Sequence, residues 1–159
     1  MPVVQLLDLA RTLRAGETVA GLDLGSKTIG VAVSDPSLTV ASPLAVITRR
    51  RFAADAGALF SLMASRRAAA LVIGLPVNMD GTHGPRAQST RAFGRNLLTL
   101  RDDIPITYWD ERLSTAAVER MLTHEADASR ARRAEVVDKA AAAWILQGAL
   151  DRLKRGALG

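Results

Sequence analysis

The chain has 159 residues, 48% hydrophobic and 23% charged, as expected of one globular domain built around a single core. It has no Cys, which excludes disulfides, zinc–thiolate centres and thiol catalysis, and only 4% aromatic residues, which disfavours a single-strand binder built on stacking platforms. The net charge is +5, and 18 of the 21 cations are Arg, the side chain suited to bidentate phosphate contact.

Residues 3 to 14 read as a short amphipathic helix with Leu6, Leu9 and Leu13 on one side. Asp8 and Arg11 interrupt that apolar run, so it does not read as a signal peptide. No apolar run approaches the ~20 residues of a membrane span. The expected compartment is the cytoplasm. Thr18 to Leu24 and Ile29 to Ser34 read as two strands of a hairpin turned by Gly25-Ser26-Lys27-Thr28. Both strands are uniformly apolar or small, the pattern of strands buried on two faces.

A third strand is expected around Ser42 to Thr48. Phe52 to Arg67 reads as a helix, with Phe52, Ala56, Leu59 and Met63 at helical spacing. Ala69 to Gly74 is a short apolar strand, and Gly74 to Gly81 a loop. Pro85 opens a helix to about Leu100, at a position that tolerates proline. Ile104 to Trp109 is a strand, and Ser114 to about His124 a helix with Ser114 as N-cap. Ala128 to about Arg155 is a long final helix or a closely spaced pair. The order β-β-β-α-β-α-β-α-α predicts a mixed sheet with helices on its faces. Residues 1–159 form one domain, with 1–17 as a helical extension and 156–159 as a disordered tail.

Three acids fall where apolar residues belong. Asp23 ends a greasy strand, where a carboxylate is costly unless it is paired, hydrogen-bonded or bound to metal. A turn-capping role is the competing reading. Asp110 and Glu111 fall where the Ile104–Trp109 strand ends, and α/β sheets collect ligands beyond the carboxyl ends of their parallel strands. Acids at a helix N-terminus are the alternative there. Asp138 lies on the apolar stripe of its helix, within about 60° of Ala131, Ala134, Ala141, Ala142, Ile145 and Ala149 at 100° per residue. Its competing reading is a boundary acid paired with an Arg. His83 and His124 lack ligand-like spacing.

Acids from three segments converging on one sheet edge make an oxygen-ligand site for Mg²⁺ or Mn²⁺. Such a site activates water and stabilises a leaving oxygen in phosphodiester cleavage. The basic residues cluster as Arg49-Arg50-Arg51, Arg66-Arg67 and Arg130 with Arg132-Arg133, and the Pro85 helix adds Arg86, Arg91 and Arg95. This distribution suits a nucleic-acid partner. In the Gly74–Gly81 loop, Asn78 offers both donor and acceptor. The Thr82–Arg86 stretch then leads into a helix N-terminus, a natural phosphate site.

Four ordered segments resemble the YqgF (RuvX-like) family, described as Holliday junction resolvases and as pre-16S rRNA nucleases. They are Gly21-Leu22-Asp23-Leu24-Gly25-Ser26-Lys27-Thr28-Ile29-Gly30, Gly74-Leu75-Pro76-Val77-Asn78-Met79-Asp80-Gly81, Asp110-Glu111-Arg112-Leu113-Ser114-Thr115 and Val137-Asp138-Lys139-Ala140-Ala141. The resemblance covers about residues 18 to 150. It implies an RNase H-like α/β fold: a five-stranded mixed sheet, three antiparallel strands then two parallel ones, with helices on both faces. It also implies a divalent-metal nuclease maturing ribosomal RNA, with Asp23, Glu111 and Asp138 as catalytic acids and metal ligands. Asp110 stands as an alternative to Glu111. Lys27, Asn78, Arg86 and Arg112 are the expected substrate contacts. The expected partner is structured RNA or branched DNA, bound by a monomer or weak homodimer.

Two other classes compete. Gly25-Ser26-Lys27-Thr28 is not a P-loop, because no glycine directly precedes the lysine and a strand follows. Asp23-Leu24-Gly25-Ser26 resembles a phosphate loop of actin-like ATPases, which need two such lobes. A non-catalytic nucleic-acid-binding factor is the other rival, against which the three acids weigh.

Overall fold

A computed structural model describes residues 3–113 and 130–158, with side chains for residues 3–112 and 140–155. The described chain runs α1 (Leu6–Arg11), β1 (Thr18–Leu24), β2 (Thr28–Ser34), β3 (Ala41–Thr48), α2 (Phe52–Ser65), β4 (Ala68–Leu75), α3 (Pro85–Leu100), β5 (Ile106–Asp110), a 3₁₀ turn (Glu111–Leu113) and α4 (Arg130–Leu158). The helix expected from Ser114 lies outside the described residues.

The five strands form one sheet in the order β3-β2-β1-β4-β5. β1 pairs antiparallel with β2, and β2 with β3. β4 joins β1 in parallel, and β5 joins β4 in parallel. β1 and β4 are central and almost wholly buried, which explains their lack of polar alternation. β3 is an edge strand and half exposed. Its register shifts at Val31/Ala32, opposite Pro43, which has no N–H for the ladder.

Two apolar layers sandwich the sheet. On one face, Leu22, Leu24, Leu71, Ile73 and Ile106 meet Leu59 and Met63 of α2 and Phe93 and Leu97 of α3. On the other, Val19, Ala70 and Val72 meet Ile145, Leu146, Ala149 and Leu150 of α4 and Leu9 of α1. Successive strand residues point to opposite faces, so Val19, Gly21 and Asp23 share the α4 side.

Several boundaries differ from the sequence reading. α2 ends at Ser65, because the chain turns through Arg67 at φ 55, in the left-handed region. The carbonyls of Arg66 and Arg67 accept hydrogen bonds from Thr18 at the start of β1. β5 begins at Ile106, after Pro105, whose carbonyl accepts the Leu71 N–H. α4 continues to Leu158, through most of the stretch expected as a disordered tail. The N-terminal extension is docked: Leu9 is fully buried, Val4 N–H donates to the Ile106 carbonyl, and Thr107 Oγ1 donates to the Val4 carbonyl. No described helix is long and apolar enough to cross a membrane.

Candidate active site

β1, β4 and β5 run parallel, so their carboxyl ends open on the same sheet edge. Asp23 is the last-but-one residue of β1, opposite Gly30 of β2. Glu111 is the first residue after β5. β4 separates these strands, yet the two carboxyl groups meet across its end and are hydrogen-bonded to each other.

Gly74 permits that meeting. It pairs with Trp109 near the end of β4. A Cβ built on Gly74 would lie 2.7 Å from Glu111 Oε1 and 2.5 Å from Ile145 Cδ1. The Glu111 side chain therefore lies over bare backbone, under the shelter of α4. Sequence reading took Gly74 as a strand terminator. Its use as the floor beneath a carboxylate has no signal in one sequence.

The Glu111 carboxyl is pushed up to about 7 from its ordinary 4.5. Burial is the largest cause, followed by the negative charge of Asp23 and the hydrogen bond with it. Arg86, in the first turn of α3, pulls the other way, and Asp110 adds a further push upward.

Asp110 and Glu111 have different surroundings. Asp110 pairs with Leu75, and alternation along β5 puts it on the α2/α3 side with Tyr108. There it takes a two-pronged ion pair from Arg112: Nη2–Oδ2 is 2.6 Å and Nε–Oδ1 is 3.1 Å, and the Arg112 backbone N–H also donates to Oδ1 at 2.9 Å. The guanidinium holds the Asp110 carboxyl below the usual range. Glu111 is the acid brought to Asp23.

Arg112, expected to contact substrate, is engaged with Asp110. Asn78 braces its own loop: Nδ2 donates to Thr82 Oγ1 at 3.0 Å, and its backbone exchanges hydrogen bonds with Thr82 and Gly81. Lys27 is exposed at the β1–β2 turn, and Arg86 is exposed beside the acid pair. Arg49, which the sequence offered only as one of a basic run, anchors that turn: Nη1 donates to the Gly25 carbonyl at 2.7 Å.

Asp138 falls in α4, and its side chain lies outside the described residues, as do those of Arg130, Arg132 and Arg133. Four residues further along α4, the Ala142 carbonyl oxygen lies 3.2 Å from where a Gly21 Cβ would stand. Among the described residues no group of three ligating side chains forms. The two acids that do meet offer hard oxygen donors, and their mutual repulsion is the kind a divalent cation relieves.

A family model described as the Holliday junction resolvase RuvX matches residues 17–152. A Phenylobacterium zucineum protein named "Putative pre-16S rRNA nuclease" is 66% identical over 97% of this chain and 99% of its own length. A Rhodospirillum rubrum protein of the same name is 62% identical over 98% of this chain and 96% of its own. Among solved structures, Thermus thermophilus RuvC bound to a Holliday junction matches with a TM-score of 0.55 at 15% identity, covering 87% of this chain and 96% of that one. The yeast mitochondrial Holliday junction resolvase matches with a TM-score of 0.51 at 12% identity, covering 92% and 86%. At those identities the likeness concerns the fold, which is of the RNase H type.

Proposed function

Because the chain belongs to the RuvX family, we propose that it is a divalent-metal-dependent nuclease that processes the ends of precursor 16S rRNA in the cytoplasm. Asp23, Glu111 and Asp138 are its catalytic acids. The observation that carries this reading is the Asp23–Glu111 pair at the carboxyl ends of β1 and β5, with the Glu111 carboxyl raised to about 7. An acid pair under such repulsion gains by binding a cation. Asp138 is assigned as the third acid because α4 carries it one helical turn before Ala142, whose carbonyl lies against β1 over Gly21.

Asp23 and Glu111 would hold Mg²⁺ or Mn²⁺ through carboxylate oxygens. When bound, the ion supplies Lewis acidity toward the scissile phosphate and makes water a nucleophile near neutral pH. The protein's own part is placement. Gly74 leaves room for Glu111, and β1 fixes Asp23 within a rigid sheet. Arg86 stands beside the acids, where its guanidinium neutralises charge on the incoming backbone. Lys27, at the exposed turn, extends that positive border, and Arg112, its charge answered by Asp110, offers it hydrogen-bond donors rather than net charge. Asn78 keeps the adjoining loop in shape. Trimming an RNA end needs one copy of the chain, whereas a symmetric four-way junction would favour a dimer.

The test is cleavage of structured precursor 16S rRNA beside a four-way DNA junction, in Mg²⁺ or Mn²⁺, with wild type and Asp23→Asn. The reading expects wild type to cut the RNA and the variant to lose about two orders of magnitude or more. Equal cutting by both proteins would overturn the assigned acids. Cutting of the junction alone would move the substrate to branched DNA, and no cutting of either would favour a binding factor.

A further inference from the structure

A cavity of about 220 Å³ lies between the β1–β2 turn and the start of α3, on the same sheet edge as the acid pair. Leu24, Gly25 and Ser26 form one wall, Arg86, Ser89 and Thr90 the other, and Arg49 and Phe93 close it. We propose that this cavity is a phosphate pocket, seating a backbone phosphate that neighbours the one being cut, with Arg49 and Arg86 as its cationic ligands. The proposal rests on the nuclease reading of the acid pair and adds a contact that positions the strand.

The lining carries two guanidinium groups and no carboxylate. Among the described residues neither forms an ion pair, unlike Arg101 with Asp103 and Arg112 with Asp110, although Arg86 also feels the neighbouring Glu111 carboxyl. Arg49 is held in place: it donates to the Gly25 carbonyl at 2.7 Å and lies 5.6 Å above the Phe93 ring. The bond to Gly25 uses one of five guanidinium N–H donors. Arg86 is steadied through its backbone, whose carbonyl accepts from Thr90 Oγ1 at 3.0 Å. Ser26 and Ser89 are exposed at the rim and offer hydroxyl donors.

Size and chemistry select the ligand. Pockets for drug-sized molecules run from about 300 Å³ upward, so this one admits a phosphate and the edge of its sugar. A stacked base is excluded, because Phe93 is buried and already sits edge-on to Phe52 beneath Arg49. Gly25 follows Asp23 by two residues, about 7 Å at ~3.3 Å per strand residue. A strand laid across the acid pair therefore reaches the pocket within a short backbone step.

The experiment measures binding of a precursor 16S rRNA fragment, with and without a 5′-phosphate, in EDTA so that nothing is cut. Wild type, Arg49→Gln and Ser89→Asp are compared over a salt series. Losing one phosphate contact lowers the slope of log affinity against log salt by about 0.7 for single strands and 0.9 for duplex. Arg49→Gln is expected to show that loss with either RNA. Ser89→Asp, which keeps the Arg49–Gly25 bond, is expected to weaken low-salt binding similarly. A single methylphosphonate at the seated position should weaken wild type more than it weakens Arg49→Gln, which retains Arg86 alone. A wild-type slope in Arg49→Gln, or additive losses at every methylphosphonate position, would overturn the pocket. A loss confined to RNA with a 5′-phosphate would overturn the backbone assignment in favour of a strand end. The acid pair is tested separately by cleavage, so failure of one reading is distinguishable from failure of the other.

Discussion

Asp23 and Asp55 show what separates a functional acid from a structural one. Both interrupt apolar sequence, and Asp55 is the more buried, at 5% exposure. Asp55 is satisfied locally, accepting the Arg50 N–H at 3.1 Å at the start of α2. Asp23 meets a second carboxyl that lies 88 residues away in sequence. The local arrangement follows from the helix boundary, but the distant one needs the sheet order. Strand placement alone named Asp110 and Glu111 as a pair, and the family resemblance put Glu111 first with Asp110 as its alternative. Alternation along β5 and the pull of Arg112 separate them, leaving Glu111 over Gly74.

Two predictions belong at this scale. Gly74→Ala would put a methyl 2.7 Å from Glu111 Oε1 and force that carboxyl or Ile145 aside. Nuclease activity should fall at least about tenfold, with overpacking costing about 1–3 kcal/mol of stability. Activity assays beside urea unfolding check both, and full activity would mean that Glu111 does not act from this position. The second concerns pH. A carboxyl whose pKa is raised on folding favours the folded state below its unfolded value and withdraws that stability as pH rises through the folded value. Without metal, the protein should lose thermal stability between pH 4.5 and about 7, and Glu111→Gln should flatten that slope. Melting temperatures across that range, with chelator, decide it.

At the level of elements, the apolar β1 and β4 and the Pro-initiated α3 were legible because burial and proline placement are written locally. The ends of α2 and β5 were less so. Arg67 at a left-handed φ and the hydrogen bonds of Thr18 decide the first, and Pro105 the second. The approach of α4 was foreshadowed by its alanines, but its seat was not. Gly21 receives it: a Cβ there would stand 2.8 Å from Leu146 Cβ and 3.2 Å from the Ala142 carbonyl oxygen. Gly21→Ala should therefore push α4 away from β1, costing about 1–3 kcal/mol in chemical denaturation. On the catalytic role proposed for Asp138, which α4 carries, activity should fall as well. An unchanged unfolding midpoint would show that α4 yields without cost.

For the molecule as a whole, sheet order performs the assembly. β4 is inserted between β1 and β5 through parallel pairing, so the loops beyond three carboxyl ends gather at one edge. The acid pair, Arg86 and the Arg49 cavity all lie there. With a net charge of +5 and 18 Arg residues, RNA affinity should fall steeply between low and moderate salt. A flat dependence in filter binding would contradict the phosphate contacts. The most direct test of the account is Mn²⁺ binding by calorimetry, for wild type, Asp23→Asn and Glu111→Gln. Wild-type affinity should climb as pH rises through about 7, where Glu111 gives up its proton, and each variant should lose at least about tenfold. Equal Mn²⁺ affinity in all three proteins, without pH dependence, would contradict it.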